Sequence, residues 1–224
     1  SGLNKRGYRQ QVGEAAIKET LAAALVLLSV WNKGRLLIDP MCGSGTIVIE
    51  AALIGRHIAP GLRRKFASEQ WPAIDPEAWQ QARLAARQAI DTEGSLQIFG
   101  YDIDEACIEA SKVNARRAGV GGDIVYGHKD VKDLWIDKQY GVVISNPPYG
   151  IKTGEFQAMN QIYISLNKTF KKKKGWSIFI LTADVKFPDY FKRAQPDRVR
   201  KLHNASIEVN YYQYLGERPP DPAG

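Results

Sequence analysis

Arg35-Leu-Leu-Ile-Asp39, followed by Pro-Met-Cys-Gly-Ser-Gly and then Thr46-Ile-Val-Ile-Glu-Ala-Ala-Leu-Ile54, is the stretch that decides the fold of this chain. Its first part is a short apolar run closed by an acid, the pattern of a buried strand. Its last part is apolar nearly all round, as expected of a helix packed on a sheet. Between them Gly43 and Gly45 let the backbone turn tightly and approach a ligand with no Cβ in the way.

The strand-loop-helix pattern repeats outward from this centre. Leu96 to Tyr101 reads as a second strand, and Asp104 can cap a helix with an apolar face of Ala106, Cys107, Ala110 and Val113, ended by Gly119. Asp123 to Tyr126 and Gly141 to Ile144 follow as strands, then a helix from Phe156 to Phe170 and a strand from Trp176 to Thr182. Ala205 to Leu215 suits a late strand or hairpin. Upstream, Val12 to Val30 predicts a helix, and the stretch from Gly55 to Gly94 is broken by Pro60, Pro72 and Pro76 before a helix from Pro76 to Ile90. Alternating strands and helices predict an α/β chain: a mostly parallel sheet between two helical layers, with ligands at the carboxyl ends of the strands.

The 224 residues are enough for one core, and 44% hydrophobic with 25% charged residues argues against disorder. No apolar run is long enough for a membrane span, and the N-terminus has no signal-peptide pattern, so a cytoplasmic protein without membrane attachment is expected. Cys42 and Cys107 are the two cysteines, and neither has metal-ligand spacing with His57, His128 or His203; no metal is expected. The formal net charge of +7 gathers at Lys5, Arg6 and Arg9; at Arg63 to Lys65; at Lys171 to Lys174; and at Lys192, Arg193, Arg198, Arg200 and Lys201. Such clusters suit a polyanionic partner, although any one of them suits a solvated helix end equally well.

Three loops then carry the chemistry. Asp39 to Thr46 lacks the third glycine of a dinucleotide fingerprint and the Gly-Lys-Ser/Thr of a P-loop. Asp39 before the glycines disfavours a phosphate and favours a cationic ligand, and S-adenosylmethionine carries an ammonium and a sulfonium. Asp102, ending the second strand, can accept both ribose hydroxyls of an adenosyl group, with Asp104 left as the helix cap. Asp130 could accept from the adenine amino group, or be a solvated loop aspartate. Cys42 reads as a packing residue of the first loop.

Ser145-Asn146-Pro147-Pro148-Tyr149-Gly150 follows the fourth strand. As a turn it explains the prolines, but not an amide and an aromatic just past an apolar strand. An exocyclic amino nitrogen is a poor nucleophile because its lone pair is delocalised into the ring. The Asn146 side-chain oxygen and the Pro147 carbonyl can take its two N–H groups and draw it towards tetrahedral geometry. Tyr149 offers a flat face for an unstacked base, and Pro147 with Pro148 stiffens the turn.

Asp39 to Thr46, Gly100-Tyr-Asp-Ile-Asp104 and Asn146-Pro-Pro-Tyr149 together resemble class I S-adenosylmethionine-dependent methyltransferases with an amino-methylating Asn-Pro-Pro-Tyr motif. The similarity is closest to the bacterial large-subunit ribosomal RNA guanine-N2 methyltransferases, which often carry an older N6-adenine DNA methylase label. It extends through Lys5-Arg6-Gly7-Tyr8-Arg9, Lys18 to Ala23, Ile58 to Gly61, Glu69 to Pro72 and Glu208 to Tyr214. The resemblance implies a Rossmann-like fold whose sheet has seven strands, one of them antiparallel. It also implies an RNA substrate, with Asn146, Pro147, Pro148 and Tyr149 holding the base. The cofactor is placed at Asp39, Gly43, Gly45, Asp102 and Asp130, with Cys42, Ser44, Thr46 and Ile103 in the same loops, and Lys18 to Thr20 near its methionine end. Residues 1–224 read as a single methyltransferase domain with an insertion at about 56–94, and the family's upstream RNA-binding THUMP domain is expected to lie outside this chain. Adenine N6 in DNA, guanine N2 in transfer RNA and a glutamine amide share the motif as substrates. A non-catalytic RNA-binding module is the reading from a different class, disfavoured by intact Asp102 and Asn146.

Overall fold

The computed structural model describes residues 5–9, 17–149, 156–193 and 195–220. Seven strands form one sheet in the order β3-β2-β1-β4-β5-β7-β6. They are β1 (Leu37–Asp39), β2 (Ile98–Asp102), β3 (Ile124–His128), β4 (Tyr140–Ser145), β5 (Gly175–Thr182), β6 (Arg198–Asn204) and β7 (Ile207–Tyr214). Every neighbour pair from β3 to β5 is parallel, while β7 pairs antiparallel with both β5 and β6. The single reversed strand agrees with the expectation from the resemblance.

Helices cover both faces, giving a three-layer α/β/α sandwich. The helices α1 (Glu19–Leu27), α2 (Thr46–Gly55) and α4 (Glu105–Ala118) supply one apolar cluster, which includes Leu25, Val48, Ile49, Ala115, Ile98, Val142 and Phe179. The opposite face packs α5 (Phe156–Phe170) and the short α6 (Phe187–Phe191) around Trp176, Tyr163, Phe187 and Phe191. On α5 the buried residues Met159, Tyr163, Leu166 and Phe170 recur at helical spacing. The remaining helix, α3 (Pro76–Gln88), buries no residue. It belongs to the segment 56–94, within which Phe66 stacks on Trp79, and the Arg83 guanidinium collects the Leu62 and Arg64 carbonyls and the Glu69 carboxylate. Among the described residues no helix is long and apolar enough to cross a membrane.

The sequence reading needs four corrections. Helix α1 ends at Leu27, short of Val30, because Ser29 turns the chain with its hydroxyl on the Val26 carbonyl; the expected start at Val12 lies outside the described residues. The buried face of α4 is Ile108, Ser111, Asn114, Ala115 and Ala118, whereas Ala106 is exposed and Cys107, Ala110 and Val113 are only partly covered. Ala205 is the left-handed corner of the final hairpin (φ 55°), and the basic run Arg198 to Asn204 is its first strand.

Finally, part of the positive charge is structural. Tyr8 donates to Glu50 at 2.9 Å and Arg6 lies 3.5 Å from the same carboxylate, while Arg9 lies 3.9 Å from Glu19. Glu50 and Glu19 are buried, and a buried carboxylate needs such partners. Arg193 likewise donates to the Trp176 carbonyl at 2.8 Å and to two further backbone oxygens. These arginines are tied to the fold rather than offered to a polyanion.

Candidate active site

Strand β1 lies between β2 and β4, so the chain runs outward through β2 and β3 and then crosses back to β4. This is the switch point at which open α/β sheets bind ligands. The loops after β1, β2 and β4 meet there.

The first loop is shaped by its glycines and fixed by its neighbours. Gly43 and Gly45 have φ of 54° and 82°, the left-handed region that disfavours a side chain. A Cβ at Gly43 would meet nothing within 4 Å, so its face is open, whereas one at Gly45 would lie 3.0 Å from the Tyr126 hydroxyl. The Gly43 N–H donates to the Asp102 carboxylate at 2.8 Å, and the Ser111 hydroxyl donates to the Gly43 carbonyl at 2.7 Å. The Asn114 amide donates to the Ser44 carbonyl at 3.1 Å. Ser111 and Asn114 therefore clamp the loop from α4. Apolar periodicity cannot find them, because their burial is explained by hydrogen bonds. Cys42 is buried and burial pushes its thiol well up, consistent with a packing role.

Asp102 also accepts from the Asp104 N–H at 3.0 Å, and Asp104 in turn caps α4 through the Ala106 N–H. Beside it Ile103 is 65% exposed, an apolar ledge next to an acid. Asp130 caps a short 3-10 turn through the Lys132 N–H and pairs with the Lys132 ammonium at 3.0 Å, which with the backbone bond lowers its pKa. Thr46 and Ser44 are buried within the loop and its helix. Lys18 and Thr20 are exposed, whereas Glu19 between them is buried.

Asp39 is 1% exposed, and its carboxylate accepts from the Met41 N–H at 3.2 Å and from the Ser145 hydroxyl at 2.7 Å. The second bond ties the end of β1 to the end of β4, and hence the first loop to the Asn-Pro-Pro-Tyr loop. Burial pushes the Asp39 carboxyl up to about 7, against the opposing pull of those two bonds. A raised native pKa means that the stability linked to this group is complete below the unfolded value of 3.8 and lost as pH rises through about 7. Asp39→Asn should therefore flatten the fall in thermal stability between about pH 4 and 7, an effect of at most about 4 kcal/mol. A variant with the same pH slope as the parent would show that another group titrates.

Beyond β4, Asn146 is half-buried, Pro147 buried, Pro148 exposed and Tyr149 half-buried against the apolar cluster beneath α1 and α2. The Tyr149 hydroxyl donates to Asn146 Oδ1 at 2.6 Å and accepts from Asn204 Nδ2 at 3.2 Å. Gly150 lies outside the described residues. The structure thus brings together Asp39, the glycine loop, Asp102 and the Asn146–Tyr149 turn. Ser145, Ser111, Asn114 and Asn204 are additional residues of the assembly that the sequence reading did not single out.

The profile of a protein family described as RMKL-like, methyltransferase domain, matches residues 6–213. YpsC of Bacillus subtilis, which bears a provisional RNA methyltransferase name, is 44% identical over 98% of this chain and 57% of its own length. Ribosomal RNA large subunit methyltransferase K/L of Shewanella pealeana is 37% identical over 99% of this chain and 32% of its own length. Among solved structures SMU.472, in complex with S-adenosylhomocysteine, superposes with a TM-score of 0.91 at 42% identity, covering 97% of this chain and 56% of that one. The chain thus spans between a third and somewhat over half of these relatives.

Proposed function

Because the chain belongs to the RMKL-like methyltransferase domain family, we propose that it transfers a methyl group from S-adenosylmethionine to an exocyclic amino nitrogen of an RNA base, guanine N2 of large-subunit ribosomal RNA. The observation that carries this reading is the Ser145–Asp39 bond, which locks the amide-bearing loop after β4 to the glycine loop after β1.

The residues present fit the cofactor. Gly43 opens onto free space, Asp102 is half-exposed at its side, and Ile103 offers an apolar surface next to both. In this reading Asp102 holds the ribose, Ile103 lies against the adenine, and Gly43 to Gly45 line the methionine side. Asp130 takes the adenine amino group with the part of its carboxylate that Lys132 leaves free. When bound, S-adenosylmethionine supplies an electrophilic methyl group on a sulfonium.

The chain's own contribution is orientation. Asn146 Oδ1 and the Pro147 carbonyl accept the two amino N–H groups, so the lone pair is turned out of conjugation and towards the cofactor loop. The buried Pro147 keeps that acceptor pair rigid, and preorganised acceptors cost no rearrangement during reaction. The exposed Pro148 and the half-buried Tyr149 flank the base. The mixed basic surface, less the arginines committed to Glu50, Glu19 and backbone carbonyls, favours a nucleic acid over a protein glutamine. Site selection on the ribosomal RNA is assigned to a THUMP domain upstream of this one.

Retention of S-adenosylmethionine by the folded chain, read by calorimetry, separates this reading from a non-catalytic RNA-binding module. Binding is expected; none by a folded sample would favour the module.

Ser111→Ala leaves the Gly43 carbonyl without its donor. It is expected to weaken cofactor binding about five- to tenfold and to lower stability by about 1 kcal/mol. Calorimetric titration and thermal melting check both, and unchanged affinity would detach the α4 clamp from the cofactor loop.

A further inference from the structure

We propose that Asn204 is a positioning residue for methyl transfer: through the Tyr149 hydroxyl it keeps Asn146 turned with its oxygen, not its NH2, towards the amino group of the base. The inference rests on the function proposed above and names a residue that neither the motif nor the apolar pattern of the sequence singles out.

The geometry is a three-membered chain whose direction follows from the end of the Asn204 amide that faces Tyr149. Asn204 is 9% exposed and its Nδ2 donates to the Tyr149 oxygen at 3.2 Å; that oxygen donates to Asn146 Oδ1 at 2.6 Å. An amide nitrogen donates and never accepts. With Asn204 Nδ2 on its lone pair, the Tyr149 hydroxyl must spend its single proton on Asn146, and only the oxygen end of that amide can receive it. An asparagine amide presents an acceptor and two donors of nearly equal shape, and its partners alone decide which end faces the site. With its NH2 forward, Asn146 would set donor against donor at the substrate amine. With its oxygen fixed by Tyr149, it keeps its second lone pair for the base.

Topology explains how a residue so far along the chain and across the sheet takes part. The double reversal β5-β7-β6 makes β6 run in the direction of β4 and β5, so the last residue of β6 reaches the carboxyl edge that carries the site. Two strands separate β6 from β4, and the loop after β4 carries Tyr149 far enough for its hydroxyl to meet Asn204. Burial raises the Tyr149 pKa while the Asn204 bond lowers it, as a donor on the phenol oxygen should.

The test is a double-mutant cycle on methyl transfer to RNA with N204A, Y149F and the pair, joined by N204D, which keeps the size of the side chain but accepts the Tyr149 proton. N204A and Y149F should each lower kcat about tenfold, with cofactor affinity unchanged, and the pair should be no worse than Y149F alone. N204D should fall below N204A, since it draws the hydroxyl away from Asn146. Losses that multiply in the pair, or an N204D enzyme as active as the parent, overturn the proposal. Independently of turnover, the tyrosine Cζ carbon resonance of Tyr149, assigned with Y149F, should move in N204A; an unmoved resonance also overturns it. If the parent chain methylates no base while that resonance moves, the proposed function fails and the hydrogen-bonded chain stands.

Discussion

Asn146→Ala is expected to lower kcat by on the order of 10²–10³-fold while leaving affinity for S-adenosylmethionine within about twofold of the parent. The side chain contributes nothing to the glycine loop, whose contacts run to Asp102, Ser111 and Asn114, so the cofactor region should be untouched. What disappears is the acceptor that helps turn the amine lone pair out of its ring, an interaction strongest in the transition state. The Tyr149 hydroxyl also loses its acceptor. Single-turnover transfer with cofactor-binding calorimetry separates the two effects. An alanine variant that turns over at the parental rate would remove Asn146 from the chemistry, and one that no longer binds cofactor would make its role structural.

Asp102→Ala should act on the opposite side of the site. We expect cofactor affinity to fall by about 100-fold, because two hydrogen bonds from ribose to a charged acceptor disappear together. A second loss compounds the first: the Gly43 N–H is left without its partner, and only the Cys42 N–H to Tyr101 carbonyl bond of 2.8 Å still ties the loop to β2. Asp102→Asn tests the division. It keeps one acceptor for Gly43 and should recover much of the loop's order while regaining only part of the affinity. Unchanged binding in the alanine variant would place the ribose acceptor elsewhere.

The parts of this arrangement legible in the sequence are those with a local cause. Asp39 closing an apolar run, Gly43 and Gly45 at positive φ, Asp104 on the Ala106 N–H and Gly119 in the left-handed region are all set by residues within a few positions of one another. The β-α alternation follows from burial of strands between helices. What escaped reading has a non-local cause. Ser111 and Asn114 look like misplaced polar residues on α4 until the Gly43 and Ser44 carbonyls are seen beneath them. Arg198 to Asn204 reads as loose positive charge because an edge strand exposes most of its side chains, and only pairing with β7 defines it.

Asp39 shows the same limit within the site. An acid before a glycine loop does not disclose its partner within the chain, which is Ser145, 106 residues away. Part of the positive charge is committed within the fold for a related reason. Arg6 and Arg9 count as surface cations in any tally of sequence, but each is set beside a buried glutamate that the helical pattern hides. In both cases the sequence supplies the functional group and the fold chooses its partner.

Transfer of labelled methyl from S-adenosylmethionine to unmodified large-subunit ribosomal RNA, followed by nucleoside analysis, tests the central claim most directly. The account predicts label in N2-methylguanosine, increased when the chain is joined to an upstream RNA-binding domain. Label in N6-methyladenine, or transfer to protein glutamine with none to RNA, would contradict it.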